Sequence, residues 1–316
     1  MMDMIQPKQF ALIGAAGYIA PRHMQAIRDT GNTLVASYDP NDSVGIMDSY
    51  FPDSLFFTDQ YRFERHLEML RQRNESVDYV SICSPNYMHD NHIRLALHTN
   101  ANAICEKPLT INPWHLDRLK TIEQETGLRI YTILQLRTNP NLIALREKIQ
   151  QSTGEFDVVL TYITRRGSWY HVSWKGDEER SGGVAMNIGI HFFDLLMWLF
   201  GPVVDKAVYL SNPSKMAGFL RLERATVRWF LSIDHDDLPD HVKEKNHYAF
   251  RSLTMDGQEI DLSGNFTNLH TRVYERILDG NGFGIDDAKP AVELVHHLRT
   301  DDIIHASMDN LHPYLK

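Results

Sequence analysis

Lys107 and His191 are the two side chains in this sequence whose types and settings could hold a charge, or move a proton, at a reacting carbon. Lys107 stands in Cys105-Glu106-Lys107-Pro108-Leu109, directly after an apolar β-type run. At the carboxyl edge of an open α/β sheet, where ligands collect, an ammonium can hold a substrate hydroxyl and favour alkoxide character as a hydride leaves. Glu106 is expected to orient it. A lysine in such a place is more often a solvated loop residue, so the placement after a strand carries the functional reading. His191 stands in Ser181-Gly182-Gly183-Val184-Ala185-Met186-Asn187-Ile188-Gly189-Ile190-His191-Phe192-Phe193-Asp194. If this segment is a helix running to Phe200, Asn187 and His191 are four residues apart and share a face. Imidazole accepts a proton from an alcohol near neutral pH, and the Asn187 amide could hold a neighbouring hydroxyl. The competing expectation is a satisfied histidine in a buried helix beside Phe192, Phe193 and Trp198.

A hydride needs an acceptor, and the amino-terminal segment suggests one. The apolar run Phe10-Ala11-Leu12-Ile13 leads straight into Gly14-Ala15-Ala16-Gly17-Tyr18-Ile19-Ala20, with a helix start at Pro21. Small residues at such a turn let the backbone approach a pyrophosphate, and the first amides of the helix bind its charge. The pattern departs from G-x-G-x-x-G, with Ala16 at the second glycine position and Ile19 at the third. Asp39 ends the second strand, where a carboxylate accepts hydrogen bonds from both ribose hydroxyls and repels a 2′-phosphate, so NAD is favoured over NADP. The plain alternative is that Asp39 starts a turn with Pro40-Asn41-Asp42. Ser84, Pro85, Asn86 and His89 after the fourth strand, Glu106 and Lys107 after the fifth and Gln135 after the sixth complete the expected cofactor edge.

These residues need a scaffold. Apolar runs at Phe10–Ile13, Thr33–Tyr38, Leu55–Phe57, Asp78–Ile82, Ala103–Cys105 and Ile130–Leu134 alternate with helical stretches at Pro21–Asp29, Arg62–Arg73, Met88–Thr99 and Pro113–Thr126, which predicts repeated βαβ units on a parallel sheet. Phe63, Leu67 and Leu70 form one apolar stripe, and the rest of that helix is a solvated face. After Asn139-Pro140 a helix at Asn141–Gln151 leads into long strands at Asp157–Arg165, Val203–Tyr209, Arg224–Ile233 and Tyr248–Met255, which predicts a mostly antiparallel second sheet. The fold class is therefore α/β, with a Rossmann domain over 1–137 and a second α/β domain over 138–316. Asp234-His235-Asp236-Asp237 is expected to cap a hairpin or loop.

Composition sets the outer bounds. The 316 residues are 43% hydrophobic and 23% charged, an ordinary globular balance. Lys and Arg number 32 against 41 Asp and Glu, a net charge of −9 that disfavours nucleic acid as a partner. No uninterrupted apolar run reaches the roughly 18 residues that cross a bilayer, Ile188 to Val204 being broken by His191, Asp194 and Gly201. MMDMIQPKQF does not read as a secretion signal, so no membrane partner is expected and the cytoplasm is the expected location. Cys83 and Cys105 make neither a disulfide framework nor a zinc site. His89 and His92 lack an apparent third ligand, so no metal is expected; His89 is read as a cofactor-edge residue and His92 as a surface one.

The glycine turn, Glu106-Lys107-Pro108, and Gly182-Gly183 followed by Asn187-x-x-x-His191 and Asp194 together resemble the Gfo/Idh/MocA family of NAD(P)-dependent sugar oxidoreductases over nearly the whole chain. The resemblance implies a Rossmann domain, then an α/β domain whose open sheet forms subunit contacts in a homo-oligomer, and it implies that Lys107 and His191 flank the hydroxyl being oxidised. Many members carry Asp where this chain has Asn187. That departure, the turn through Arg22-His23, and Ser168-Trp169-Tyr170-His171-Val172-Ser173-Trp174-Lys175-Gly176 are similar to the branch that oxidises the 3-hydroxyl of UDP-linked N-acetylaminosugar uronates for bacterial surface polysaccharides. It implies a UDP-sugar uronate as substrate and a 2-oxo acid such as 2-oxoglutarate as reoxidant. Arg165, Arg166, Tyr170, His171 and Lys175 would then meet the diphosphate, carboxylate and sugar, together with Lys107, Asn187 and His191. The alternatives are a free sugar or polyol such as an inositol as substrate, and a non-catalytic NAD-binding regulator.

Overall fold

The computed structural model describes residues 6–260, 268–305 and 310–316. The chain divides into two compact units, Met1–Gln135 with Thr267–Ala288, and Leu136–Phe266 with Lys289–Lys316.

In the first unit, β1 (Gln9–Ile13), β2 (Thr33–Tyr38), β3 (Leu55–Phe57), β4 (Tyr79–Ile82), β5 (Asn102–Cys105) and β6 (Ile130–Thr132) form one sheet in the order β3-β2-β1-β4-β5-β6. All its pairings are parallel. The alternation of apolar runs and amphipathic stretches thus yields the expected doubly wound sheet, with the ends of β1, β2, β4 and β5 at one edge. Helices Ala20–Asp29, Gln60–Gln72, His89–His98 and Pro113–Thr126 supply the crossovers. Gln60–Gln72 starts where Asp59 accepts the Arg62 N–H at 2.8 Å, and it buries Phe63 and Leu67 as its stripe predicts. Phe10, Leu12, Met24, Ile27 and Ile104 pack with Val273, Tyr274 and Ile277 from helix Leu269–Leu278. That last helix joins the first unit although it lies well beyond the 138 start expected for the second domain.

In the second unit, β7 (Phe156–Thr164), β8 (Val203–Ser211), β9 (Lys215–Leu222), β10 (Ala225–Ser232), β11 (Ala249–Met255) and β12 (Gln258–Glu259) run in the order β12-β11-β7-β10-β9-β8. The sheet is antiparallel except at β7 and β10, which pair in parallel. The mostly antiparallel expectation holds, but β9 was not expected. Its sequence KMAGFLRL buries nearly every position, so it lacks polar alternation, and Gly218 interrupts it. A Cβ on Gly218 would lie 2.7 Å from the Trp229 ring on β10, so close packing rather than a turn explains that glycine. Lys215 binds Asp237 at 2.8 Å and Asp234 at 3.3 Å, and Ser232 Oγ donates to Asp237, so the acidic run does close the β9–β10 end of the sheet.

The helical segment Glu178–Phe200 is long and apolar enough by length and composition to span a bilayer, longer than the sequence reading allowed, and it lies mostly buried as a core helix. Its Asp194 makes a bidentate pair with Arg137 at 2.6 and 3.0 Å, both side chains largely buried.

His92 is buried, not on the surface as expected; it shares the inner face of helix His89–His98 with Ile93 and Ala96. Its Nδ1 meets Ser84 Oγ at 2.8 Å, and burial pushes its pKa down to about 4. The unfolded chain binds this proton below about 6.5 and the folded one only near 4, so stability is lost as pH falls between those values. The His92 contribution is about 3 kcal/mol at most. Urea denaturation of the wild type from pH 7 to 4 should show the decline, and His92→Asn should flatten it; an unchanged slope in the variant would refute the assignment.

Candidate active site

The turn after β1 is fixed by a close approach. Gly14 has φ +90°, and a Cβ there would lie 2.7 Å from the Cys83 carbonyl carbon and 2.8 Å from the Ser84 nitrogen. Only glycine meets both conditions. The Gly14 N–H donates to Tyr38 O at 2.7 Å, the Gly17 N–H donates to Gly14 O at 3.0 Å, and the Ala16 N–H donates to Asp39 Oδ2 at 3.0 Å. Asp39 Oδ1 accepts from the Asn41 N–H at 2.8 Å and its side-chain amide at 3.0 Å. Asp39 therefore does start a turn, and it is also locked to the glycine turn at the sheet edge: Oδ1 accepts two hydrogen bonds and Oδ2 one, and a carboxylate oxygen can accept a second. Helix Ala20–Asp29 carries no side-chain cap, and Pro21 sits in its first turn. Its amino-terminal amides suit a pyrophosphate, so the residues present fit a dinucleotide. Ile19 is half-buried beside this turn, and Tyr18 is 83% exposed.

The loops after β4 and β5 are tied together beneath that edge. Ser84 and Asn86 are buried, and Pro85, Lys107 and Gln135 half-buried. His89 reaches Pro108 O through Nδ1 at 2.6 Å and Ser84 O through Nε2 at 2.9 Å, bridging the two loops. Burial lowers its pKa against the pull of those two carbonyls. The Lys107–Pro108 peptide is cis. Glu106 is buried; its Oε1 lies 3.0 Å from His23 Nε2 and 3.0 Å from His270 Nε2, and its Oε2 accepts the Lys107 N–H at 3.2 Å. Burial opposes a charge on Glu106, but the hydrogen bonds that His23 and His270 give it hold its carboxyl well below the usual range. His270 and Tyr274, which completes the group from the same helix, were not anticipated, because nothing local marks residues so far along the chain as partners of β5.

In the second unit, the Arg165 N–H donates to Tyr248 O and the Arg166 N–H to Ile233 O, extending the β7 pairings to the loop. Arg165 and His171 are exposed and Arg166 half-buried. Lys175 Nζ lies 5.5 Å from the Trp169 ring centre and 5.4 Å from that of Trp174, a cation held between two aromatic faces. Tyr170 is buried. Asn187 donates through Nδ2 to Tyr170 Oη at 3.1 Å and to Lys175 O at 3.2 Å, so it ties down the 168–176 loop. Asn187 lies in a π-helical turn, Ala185–Gly189, that precedes helix Ile190–Phe200, so the expected regular helix is widened where the candidate residues stand. His191, half-buried, packs edge-on to Tyr162 at 5.9 Å. One helical turn on, the Arg137–Asp194 pair anchors the helix that carries it. Arg137 was also not anticipated, since an arginine beside the expected boundary reads as a linker residue.

A doubly wound sheet with an acidic residue directly after β2, followed by a mixed sheet, is the arrangement of a dinucleotide-binding domain joined to a second α/β domain. The family description "Oxidoreductase family, NAD-binding Rossmann fold" matches residues 8–133, and "Oxidoreductase family, C-terminal alpha/beta domain" matches residues 153–219. The chain belongs to the Gfo/Idh/MocA oxidoreductase family, and its cofactor is NAD. It is similar to the WlbA (WbpB) dehydrogenase from Thermus thermophilus, at 51% identity over 97% of this chain and 99% of that one. The TM-score is 0.94 against the crystal structure of the complex with NAD and α-ketoglutarate, and 0.93 against that with NAD and UDP-GlcNAcA. It is also 30% identical over 143 residues to the D-glucoside 3-dehydrogenase of Escherichia coli, a match that spans 44% of this chain and only 40% of that relative.

The Asn187 geometry calls for an amide, because its Nδ2 donates to both Tyr170 Oη and Lys175 O. Lys175 O can only accept, so Asn187→Asp would set two oxygens against each other at the position of a present hydrogen bond. At pH 7 the variant should lose about 1–3 kcal/mol. The new carboxyl's pKa would be raised in the folded state, so the deficit relative to wild type should shrink as pH falls and the carboxyl protonates. Paired denaturation curves at several pH values check this; a pH-independent deficit would count against it.

Proposed function

We propose that this protein oxidises the 3-hydroxyl of UDP-N-acetylglucosaminuronic acid to the 3-keto sugar. The observation that carries the reading is full-length likeness, at 51% identity, to a dehydrogenase crystallised with NAD and UDP-GlcNAcA. The chemistry of this chain's residues supports it. Gly14, Ala16, Gly17, Tyr18 and Ile19 give the turn that receives the pyrophosphate, and Asp39 accepts from the ribose hydroxyls. Ser84, Pro85, Asn86, His89, Glu106, Lys107 and Gln135 form the rest of the cofactor edge. Arg166, His171 and Lys175 supply the base that a diphosphate and a uronate require, in a chain of net charge −9. Tyr170 contributes through the Asn187 amide.

His191 removes the hydroxyl proton, Lys107 stabilises the developing alkoxide, and Asn187 fixes the loop that orients the sugar. Bound NAD would supply the acceptor for the hydride that leaves C3. Reduction of 2-oxoglutarate to the 2-hydroxy acid would return the cofactor to NAD, in keeping with the α-ketoglutarate bound by the Thermus enzyme. The same reading puts the enzyme in the cytoplasm, in lipopolysaccharide O-antigen sugar synthesis, as a homo-oligomer, a dimer or tetramer built through the second sheet.

Purified protein with NAD and UDP-GlcNAcA should form NADH, and a trace of NAD with 2-oxoglutarate should support many turnovers. His191→Asn should lower kcat by about 10²–10⁴, and Lys107→Met by about 10²–10³. Silence across a panel of nucleotide sugars, or turnover of free inositol or glucosides instead, would overturn the substrate assignment.

A further inference from the structure

We propose that His23, Glu106, His270 and Tyr274 form a buried positioning device for Lys107, in which an ionised Glu106 fixes the lysine's backbone amide. Every hydrogen bond in the cluster finds a direction if Glu106 is a carboxylate. Ser81 Oγ donates to Tyr274 Oη at 2.6 Å, Tyr274 donates to His23 Nδ1 at 2.7 Å, and His23 Nε2–H donates to Glu106 Oε1. His270 Nε2–H donates to the same oxygen, and the Lys107 N–H to the other. Burial keeps His23 neutral by lowering its pKa, and keeps Tyr274, Cys83 and Cys105 protonated by raising theirs. Glu106 is thus the anion of the group, and an acceptor-only carboxylate is what its three N–H donors require. On the other side of Lys107, His89 holds the Pro108 carbonyl, so the backbone is clamped before and after the lysine.

The two imidazoles and the carboxylate present ligand atoms close enough for a metal ion. With Glu106 as an acceptor-only carboxylate, both imidazoles turn a proton, not a lone pair, toward it, and Tyr274 then donates to His23 Nδ1.

The inference rests on the proposed role of Lys107, so its test includes a readout that does not use turnover. Glu106→Gln keeps the shape and one acceptor for the histidines but turns an N–H₂ toward the Lys107 N–H. It should lower kcat by about 10²-fold, the size expected of a misplaced catalytic group, with KM for NAD and sugar changed far less and with the protein still fully folded at the assay temperature. His270→Leu should resemble it, and His270→Gln, which restores a donor, should recover most of the rate. Full kcat in Glu106→Gln, or a loss that follows the fall in melting temperature across all three variants, would overturn the proposal. Independently, ¹⁵N spectra of histidine-labelled wild type should show protonated Nε2 on His23 and His270, each assigned by its loss on substitution. Unprotonated Nε2 nitrogens, with one metal ion per chain by mass spectrometry, would overturn it whether or not UDP-GlcNAcA proves to be the substrate.

Discussion

The constraint on which the first unit depends is the passage of the chain after β1 against the chain after β4. Gly14 lies so near Cys83 and Ser84 that a single methyl would force them apart. This pinch fixes where the helix Ala20–Asp29 begins, and through Ala16 it fixes where Asp39 points. It also sets the depth of Ser84, whose carbonyl and hydroxyl then meet His89 and His92. One contact between backbones therefore governs three loops at the edge where a parallel sheet gathers its ligands.

The two units organise their chemistry by different means. In the first, Glu106 is buried with His23, His270 and Tyr274 in a hydrogen-bonded group, which leaves little tolerance there for an unpaired partner. In the second, an apolar helix carries the candidate residues. A widened turn, an ion pair one turn further along and an amide that stitches the 168–176 loop to the helix substitute for a buried network. Asn187 and Asp194 are thus the polar points at which an otherwise hydrophobic helix is held.

Much of this was legible in the residues. The strands of the parallel sheet follow apolar runs bounded by Gly, Pro and Asp, and the glycine turn, Asp39 and the lysine after β5 lie within local patterns whose physics is short-ranged. What was hidden is long-ranged. Tyr274 and His270 sit in an amphipathic helix that looks like any other until it packs on helix Ala20–Asp29. β9 was hidden because its glycine makes room for Trp229 instead of marking a turn. His92 was misplaced because polarity was read as exposure, although its spacing with Ile93 and Ala96 puts it on the inner face. In sequence Lys175 is simply a cation available to ligands, and its contacts with the Trp169 and Trp174 rings depend on how the loop folds back.

The return of helix Leu269–Leu278 to the first unit has a consequence for biosynthesis. Residues 6–135 leave the ribosome well before His270 and Tyr274 exist, so the nascent Rossmann half emerges with a core wall missing and Glu106 short of a donor. Burying that carboxylate with a partner absent costs several kcal/mol, so the half-made unit has reason to remain loose around β5. Native packing there is completed only after the chain has passed through the whole second sheet.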